Sequence, residues 1–490
     1  MKNKILSISI FLLIALFIVS CEKNVPEKPN VLFIAIDDMN DWIGCLDGHP
    51  QTKTPNIDRL ANQGILFTNA HCQAPICGPS RASIFTGLYP STTGNYLQLK
   101  DEDIKKANQA AKESILMPDY FEGNGYKTMA VGKLYHSGDA AGSFDEYGGK
   151  FSWMGPKPKE RISFDPAWMG VPNGTQTDWG VYPGIDSLMT DYKSAHWAVN
   201  KLGEEHDSPF FLAVGFLSPH VPWYASQKWF DMFPTDSLEM PPYNPSDFDD
   251  IPEMGAAVAE VPMMPTTEWL KERGQWKDVV QAYLACIAFM DHQVGKVLDA
   301  LEKSPYADNT IVVLWSDHGY HIGEKNRFAK QALWQEDTRT PLIFRLPGSE
   351  KVDKCKAPVQ LVDIYPTLVE LCGLTNYEMA DGNSLVPLLK EPNLDWEKPA
   401  LSFYGEGNYA VTGEQYRLIQ YEDGSQEFYD LISDPNEWKN LASNDQLKDE
   451  KAKLEAFILS NQAPLSQYSS YNINDYFRKK IKEQKEENKH

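Results

Sequence analysis

Short apolar runs recur along the chain, and each of them ends in polar residues. They do not alternate with polar positions and are rich in β-branched and aromatic residues, which is typical of strands buried on both faces. The runs occupy residues 30–36, 126–132, 209–220, 310–316 and 340–346. Segments with helical periodicity lie between them, at residues 54–64, 114–125 and 279–304. This alternation predicts an α/β fold with a large, mostly parallel sheet sandwiched by helices.

The pattern changes near residue 398, where short alternating runs separated by turn residues begin. These runs predict a smaller antiparallel sheet, and a helical segment near 444–460 would close it. The last residues, 476–490, are charged throughout and predict a solvated, frayed helix. Residues 140–175 and 223–275 lack clear periodicity and are rich in Trp, Pro and Met, so we expect long loops there.

Ionisable side chains follow or end four of the apolar runs. In an open α/β sheet, ligands bind at the carboxyl ends of the strands, so residues distant in sequence can converge there. The residues at these ends are Asp37 and Asp38, Lys133 and His136, His220, and Asp317 and His318. The set predicts one site at this edge of the sheet.

Three of these residues, Asp37, Asp38 and Asp317, are carboxylates that would repel one another unless a cation neutralised them. Hard oxygen ligands with no neighbouring cysteine pair favour Ca²⁺ or Mg²⁺ over zinc. Taken singly, Asp37 as a helix cap and Asp317 as a turn residue are the simpler interpretations. Taken together, they predict a divalent cation.

The N-terminus has the pattern of an export signal. Lys2 and Lys4 precede an apolar stretch at 5–19, which is too short to span a membrane comfortably. The sequence IVSC at 18–21 resembles a bacterial lipobox, which implies cleavage before Cys21 and acylation of that residue. Several acyl chains anchor a protein stably. We therefore expect an exported protein held by its lipid at the bacterial envelope; the alternative is an ordinary signal peptide with a coincidental cysteine.

Composition limits the partners of this chain. Its 490 residues carry a net charge of −22, which argues against nucleic acid as a partner. An anionic substrate would need a local basic pocket. The seven cysteines give no dense disulfide framework, although the sequence leaves a pairing such as Cys355 with Cys372 open.

One cysteine lies in a motif. The run Cys77-Gly78-Pro79-Ser80-Arg81, followed by Thr86-Gly87, resembles the C-x-P-S-R…T-G signature of formylglycine-dependent sulfatases, in the alkaline-phosphatase superfamily. The segments IDD, VGKLYH, SPH, SDHG, FAK and YDLISDPNEWKNLA follow the order and spacing of that family from about residue 29 to 460. The Asp-His pair at 317–318 is most similar to the iduronate-2-sulfatase branch.

This resemblance implies an alkaline-phosphatase-like fold and a special fate for Cys77. A formylglycine-generating or sulfatase-maturating enzyme would oxidise the cysteine to Cα-formylglycine (3-oxoalanine) during export. Catalysis would then be covalent: one hydroxyl of the hydrated aldehyde attacks the sulfur of a sulfate ester, and the other expels sulfate. A serine could perform only the first half.

The resemblance also assigns site residues. One Ca²⁺ would be held by the modified residue 77 together with Asp37, Asp38, Asp317 and His318; alternatively, His318 would hydrogen-bond the nucleophile. The other residues of the motifs would have catalytic roles, namely Arg81, Lys133, His136, His220 and Lys330. Arg81 would orient residue 77, the two lysines would neutralise sulfate oxygens, and the histidines at 136 and 220 would contact sulfate and protonate the leaving alcohol.

The expected function is hydrolysis of sulfate esters on a sulfated oligo- or polysaccharide, such as algal ulvan or a glycosaminoglycan. A phosphonate monoester or phosphodiester hydrolase of the same superfamily and an inactive glycan-binding lipoprotein are the alternatives. The expected divisions are a signal peptide at 1–20, a tether at 21–29, a catalytic domain at 30–397, an antiparallel subdomain at 398–462 and a charged tail at 463–490.

Overall fold

The computed structural model describes residues 28–137, 142–150, 153–165, 177–349, 351–459 and 461–488. The expected signal peptide at 1–20 and most of the expected tether at 21–29 lie outside these residues. Within the described ranges, no helix has the length and apolarity needed to cross a bilayer.

The described strands, in chain order, are β1 (Asn30–Asp37), β2 (Ile65–His71), β3 (Lys127–Gly132), β4 (Glu146–Tyr147), β5 (Trp179–Val181), β6 (Phe210–Pro219), β7 (Trp223–Ala225), β8 (Thr310–Ser316), β9 (Arg339–Arg345), β10 (Asp353–Cys355), β11 (Val359–Gln360), β12 (Ala400–Phe403), β13 (Tyr409–Thr412), β14 (Tyr416–Gln420) and β15 (Gln426–Asp430).

The described α-helices are α1 (Pro55–Ala61), α2 (Cys77–Thr86), α3 (Pro90–Thr93), α4 (Gln109–Glu113), α5 (Met117–Gly123), α6 (Thr190–Leu202), α7 (Gln227–Phe230), α8 (Glu253–Ala259), α9 (Thr267–Glu272), α10 (Trp276–Lys303), α11 (Gln335–Thr338), α12 (Ile364–Leu371), α13 (Val386–Lys390), α14 (Lys448–Glu455) and α15 (Asp475–Glu487). The helices predicted at 54–64, 114–125 and 279–304 correspond to α1, α5 and α10.

Nine of the described strands form the main sheet, in the order β10-β2-β9-β8-β1-β6-β3-β4, with β11 also paired to β2. The strands β8, β1, β6 and β3 are mutually parallel, which confirms the predicted mostly parallel sheet. The run at 340–346 differs, because β9 is antiparallel to both β8 and β2. The chain leaves β8 and enters β9 at the same edge of the sheet. Antiparallel neighbours of this kind need no crossover helix.

Strand β1 shows why the runs do not alternate. All of its residues are buried, and successive side chains enter opposite layers. Val31 and Phe33 belong to the apolar core on one face, while Leu32 and Ile34 belong to the core on the other. The centre of the sheet is therefore covered by helices on both sides, as the sequence predicted.

The C-terminal sheet is an antiparallel meander of β12, β13, β14 and β15, and α14 contacts β14 and β13. It confirms the smaller antiparallel sheet with a helix. Residues 223–275 were expected as loops, but they contain strand β7 and the short helices α7, α8 and α9. The described cysteines are all unpaired, so the pairing of Cys355 with Cys372 is not formed.

The last helix, α15, forms within the segment predicted as a solvated, frayed helix, but one of its faces is not solvated. Phe477 is completely buried and Ile481 is nearly so. The Phe477 ring packs against Tyr404, with 4.6 Å between ring centroids. Asn474 caps the helix by accepting a hydrogen bond from the Phe477 backbone N–H. The prediction missed this packing because only two apolar residues at helical spacing occur among many charged ones.

We expect Phe477→Ala to destabilise the protein by about 3 kcal/mol, because it removes a buried ring and leaves a cavity. Thermal unfolding, with limited proteolysis of the C-terminal region, measures the change. Lys479→Ala on the same helix is the matched control, since this side chain is 78% exposed. Equal melting temperatures for the two variants would contradict the packed state of α15.

Candidate active site

The carboxyl ends of the parallel strands meet, as the sequence predicted. Asp37 is the last residue of β1, and the Asp38 backbone N–H donates a hydrogen bond to Asp317, which follows β8, at 3.2 Å. Lys133 follows β3, and its Nζ lies 2.6 Å from Asp37 Oδ2. Burial opposes ionisation of Asp37, but Lys133, His220 and Arg81 outweigh it and hold its pKa well below the usual range.

Arg81 joins the ends of three strands. It lies on α2, is fully buried, and its Nε donates to Asp317 Oδ2 at 2.7 Å. One terminal nitrogen donates to the backbone oxygens of Lys133 and Leu134, at 2.7 and 2.9 Å. The other lies 3.3 Å from Asp37 Oδ1. This guanidinium therefore compensates two buried carboxylates and fixes their separation.

Cys77 is the first residue of α2 and is 1% exposed. Its Sγ lies 3.1 Å from Lys330 Nζ and 3.3 Å from His318 Nε2. Burial raises the pKa of the thiol, but Lys133 and Lys330 outweigh it and hold the pKa well below its usual value. The positive end of a helix and two lysines therefore favour negative charge at this position.

Asp38 lies close to residue 77 and is itself contacted by Lys330 and His220. Lys330 Nζ donates to Asp38 Oδ1 at 2.5 Å, and His220 Nε2 lies 3.8 Å from Asp38 Oδ2. The second oxygen of Asp38, Oδ2, is buried without a hydrogen-bond partner. An unsatisfied carboxylate oxygen at this depth is costly unless a ligand contacts it.

The donor atoms fit a divalent cation. They form two overlapping groups whose members lie within 4.8 Å of one another, Asp37, Cys77, Asp317 and His318 in the first and Asp37, Asp38, Cys77 and His220 in the second. Burial raises the pKa of Asp317 to about 7 against the charge of Arg81, as expected for a carboxylate short of positive charge. Three of the six residues in these groups are aspartates, whose carboxylate oxygens suit a hard cation.

His318 has a defined orientation. Its Nδ1 lies 2.9 Å from the Gly319 backbone oxygen, to which it donates, so Nε2 is directed at Cys77 and Asp38. Burial lowers the pKa of His318, but the charge of Asp317 outweighs it and raises the pKa to about 9. The geometry thus serves both roles considered for His318, a cation ligand or a hydrogen-bond partner of residue 77.

Gln98 belongs to the site, although no motif or strand end indicated it. Its Oε1 accepts the Gly78 backbone N–H at 2.9 Å, next to Cys77. Its Nε2 lies 2.7 and 2.8 Å from the two ring nitrogens of His136. A Cβ at Gly78 would lie 2.3 Å from Gln98 Oε1, so this amide needs a glycine there. Gln98 links the start of α2 to His136, which explains how His136 joins the site.

A pocket of about 510 Å³ opens above these residues. Asp38, Lys133, His136, His220 and Lys330 line its base. The two stretches expected as long loops, 140–175 and 223–275, both contribute to the walls, which include Lys150, Trp153, Met154, Met263 and Met264. Tyr471 and Ile473, from the expected charged tail, complete the wall. The pocket is basic at its base and largely apolar above.

Comparison with protein families gives two matches. A family model described as "Sulfatase" matches residues 29–374. A second, described as "N-sulphoglucosamine sulphohydrolase, C-terminal", matches residues 323–463. Together they span the main sheet and the C-terminal sheet.

Known relatives agree with these matches. A "Sulfatase" of Formosa agariphila is 46% identical over 95% of this chain and 95% of its own length. The human "Iduronate 2-sulfatase" is 31% identical over 70% of this chain and 69% of its own. A solved structure described as BT4656 in complex with its substrate D-glucosamine-2-N,6-O-disulfate shares the fold, with a TM-score of 0.68 and 22% identity over 88% of this chain and 96% of that one.

Proposed function

Because the chain belongs to the sulfatase family and is a sulfuric ester hydrolase, we propose that it removes sulfate from a sulfated glycan, with residue 77 as the nucleophile. One observation supports this most directly. The side chain of Cys77 lies between Lys330 Nζ, at 3.1 Å, and His318 Nε2, at 3.3 Å, beneath a pocket large enough for a sugar.

The proposal includes a formylglycine formed from Cys77 and a Ca²⁺ held by Asp37, Asp38, Asp317, His318 and residue 77. These groups would supply a hydrated carbonyl with two hydroxyls, and a positive charge that lowers their pKa. The support is the donor set itself, with an unpartnered Asp38 oxygen and a motif cysteine at the start of α2.

The remaining residues bind and orient the ester. Lys330 and Lys133 each contact a carboxylate, and each also lines the base of the pocket, where it can neutralise the oxygens of a sulfuryl group. Arg81 keeps Asp37 and Asp317 in place beneath residue 77. His220 donates from Nδ1 to the Val221 backbone oxygen, so its Nε2 faces the base of the pocket. Burial lowers the pKa of His220 against the charges of Asp38 and Asp37, so Nε2 must take up a proton before it can donate one to the leaving alcohol.

The experiment is sulfate release, measured by ion chromatography. The protein is co-expressed with a formylglycine-generating enzyme and supplied with partial hydrolysates of ulvan and of heparan sulfate. We expect release from a defined oligosaccharide of one of these polymers. Hydrolysis of phenyl phosphonate esters without any sulfate release would instead favour a phosphonate monoester hydrolase.

We further propose export and attachment to the bacterial envelope through lipid on Cys21. The support is the sequence of the N-terminus, with its basic start, apolar stretch and IVSC segment. Cell fractionation tests it: Cys21→Ala should move the protein from the membrane to the soluble fraction. An unchanged membrane fraction would contradict lipid attachment at this residue.

We expect Lys133→Met to lower kcat by roughly 10²- to 10³-fold, because a buried cation that faces the developing charge is lost. The fold should persist, since Arg81 still compensates Asp37. Steady-state kinetics and circular dichroism measure the two effects. Lys127→Met, at the start of the same strand and 39% exposed, is the control and should be close to wild type. A similar loss in both variants would argue against a role for Lys133 in the reaction.

A further inference from the structure

Lys150 lies on the wall of the pocket and has no ion pair with any of the described residues. The other two pocket lysines, Lys133 and Lys330, each pair with a carboxylate at 2.6 and 2.5 Å. Lys150 Nζ donates to the His136 backbone oxygen at 2.6 Å, and no carboxylate of the described residues lies within ion-pairing distance of it. An ammonium has three donors, so two remain for a ligand.

The environment of Lys150 favours an anion. The side chain is half-buried, and burial together with the charge of Lys133 lowers its pKa to about 8. A half-buried cation that forms no ion pair within the described part of the chain carries a desolvation cost, which a bound acidic group offsets. Because Lys150 contacts the backbone of His136 at the pocket wall, such a group would lie beside the base of the pocket.

The wall around Lys150 suits a sugar ring. Trp153, Met154 and Tyr471 line the same cavity, and Tyr471 is 49% exposed. Aromatic and thioether side chains pack against the apolar face of a ring, while polar groups fix its substituents. Lys150 could therefore bind an acidic substituent of a sugar, while the aromatic and thioether side chains of the wall pack against the ring.

The distribution of basic residues near Lys150 also favours an anionic ligand. Residues 150–161 contain Lys150, Lys157, Lys159 and Arg161 and a single acidic residue, Glu160, in a chain of net charge −22. Lys157 Nζ lies 4.8 Å from the centroid of the Trp153 ring, which lines the pocket. Lys157 therefore adds positive charge beside a residue of the pocket wall in an otherwise acidic protein, which favours the approach of an anionic polymer.

We propose that Lys150 binds a second acidic group of the glycan, a carboxylate or another sulfate, while the sulfate to be removed lies against Lys133 and Lys330. The preferred substrate is then a glycan with two acidic groups on the same sugar or on adjoining sugars. This inference rests on the proposed function, because it assumes that the pocket binds a sulfated glycan.

The test compares wild type with Lys150→Met and Lys150→Arg. The substrates are the ulvan and heparan sulfate hydrolysates, each native and after chemical reduction of its carboxyl groups, and 4-nitrophenyl sulfate as a substrate with one acidic group. We expect Lys150→Met to lower kcat/KM for native hydrolysate by about 10- to 100-fold, mainly through KM, because a charged hydrogen bond is lost. Its effect on 4-nitrophenyl sulfate should be less than about 3-fold, and Lys150→Arg should retain most of the activity.

Lys303→Met is the control variant, because it makes the same change of charge at the exposed end of α10, remote from the pocket. If carboxyl reduction removes the difference between wild type and Lys150→Met, the second group is a carboxylate; if the difference persists, it is a sulfate. Equal losses on 4-nitrophenyl sulfate and on hydrolysate, or no loss on either, would overturn the role of Lys150. A wild-type protein that releases no sulfate from any substrate would overturn the proposed function, and the inference would fall with it.

Discussion

Replacing Cys77 with serine is expected to give a protein that takes up at most one sulfuryl group per chain and then stops. The serine oxygen would occupy the position of Sγ, close to Lys330 and His318, where it can attack once. It has no second hydroxyl on the same carbon with which to expel sulfate, so the ester on the enzyme persists. Steady-state sulfate release should fall by more than about 10⁴-fold, the scale on which removal of a nucleophile acts.

Intact-protein mass spectrometry after incubation with substrate measures the stalled state, as an added mass of one sulfuryl group on Cys77→Ser. Cys77→Ala is the matched control, because it fills the same buried position without a nucleophile and should gain no mass. Multiple turnovers by either variant would contradict the proposed role of residue 77. A wild-type protein with an unaltered thiol and full activity would contradict the formylglycine.

Arg81→Met is expected to lose both activity and stability. The methionine removes the guanidinium from the buried carboxylates of Asp37 and Asp317 and from two backbone oxygens, so that Asp317 loses its cation and Asp37 keeps only Lys133. Breaking a buried ion pair by removal of one partner costs about 3–5 kcal/mol. The melting temperature and the rate of sulfate release should therefore both fall sharply.

Arg81→Lys separates charge from geometry. A lysine keeps the positive charge but cannot contact Asp317, Asp37 and two backbone oxygens at once. We expect this variant to recover much of the stability and little of the activity. Wild-type activity in Arg81→Lys would show that only the charge at this position matters.

The base of the site could be predicted from the sequence for a local reason. A buried strand and the residue that follows it are contiguous, so Asp37, Lys133, His220 and Asp317 could be assigned to one edge as soon as the strands were identified. Cys77 and Arg81 were found because they lie four residues apart in one motif. In each case the chemistry and the element that positions it share a short segment.

The walls of the pocket could not be predicted in this way. Gln98 and Tyr471 follow no strand of the main sheet, and Lys150 follows only the two-residue edge strand β4; all three meet His136 through packing between separate segments. The Gln98–Tyr471 backbone bridge, for instance, joins segments from opposite ends of the chain. The burial of Phe477 escaped prediction for a related reason, since the surface that covers it, around Tyr404, is distant in sequence.

The depth of Cys77 has a consequence for the order of events during biosynthesis. In the folded protein its side chain is 1% exposed, so no enzyme can reach it without opening the molecule. His318, which contacts its Sγ, is synthesised 241 residues later. At roughly 5–20 residues per second, the ribosome needs about 12–48 s to cover that distance. Any oxidation of Cys77 therefore has a limited window, and a nascent chain that folds before it is modified would be trapped as an inert product.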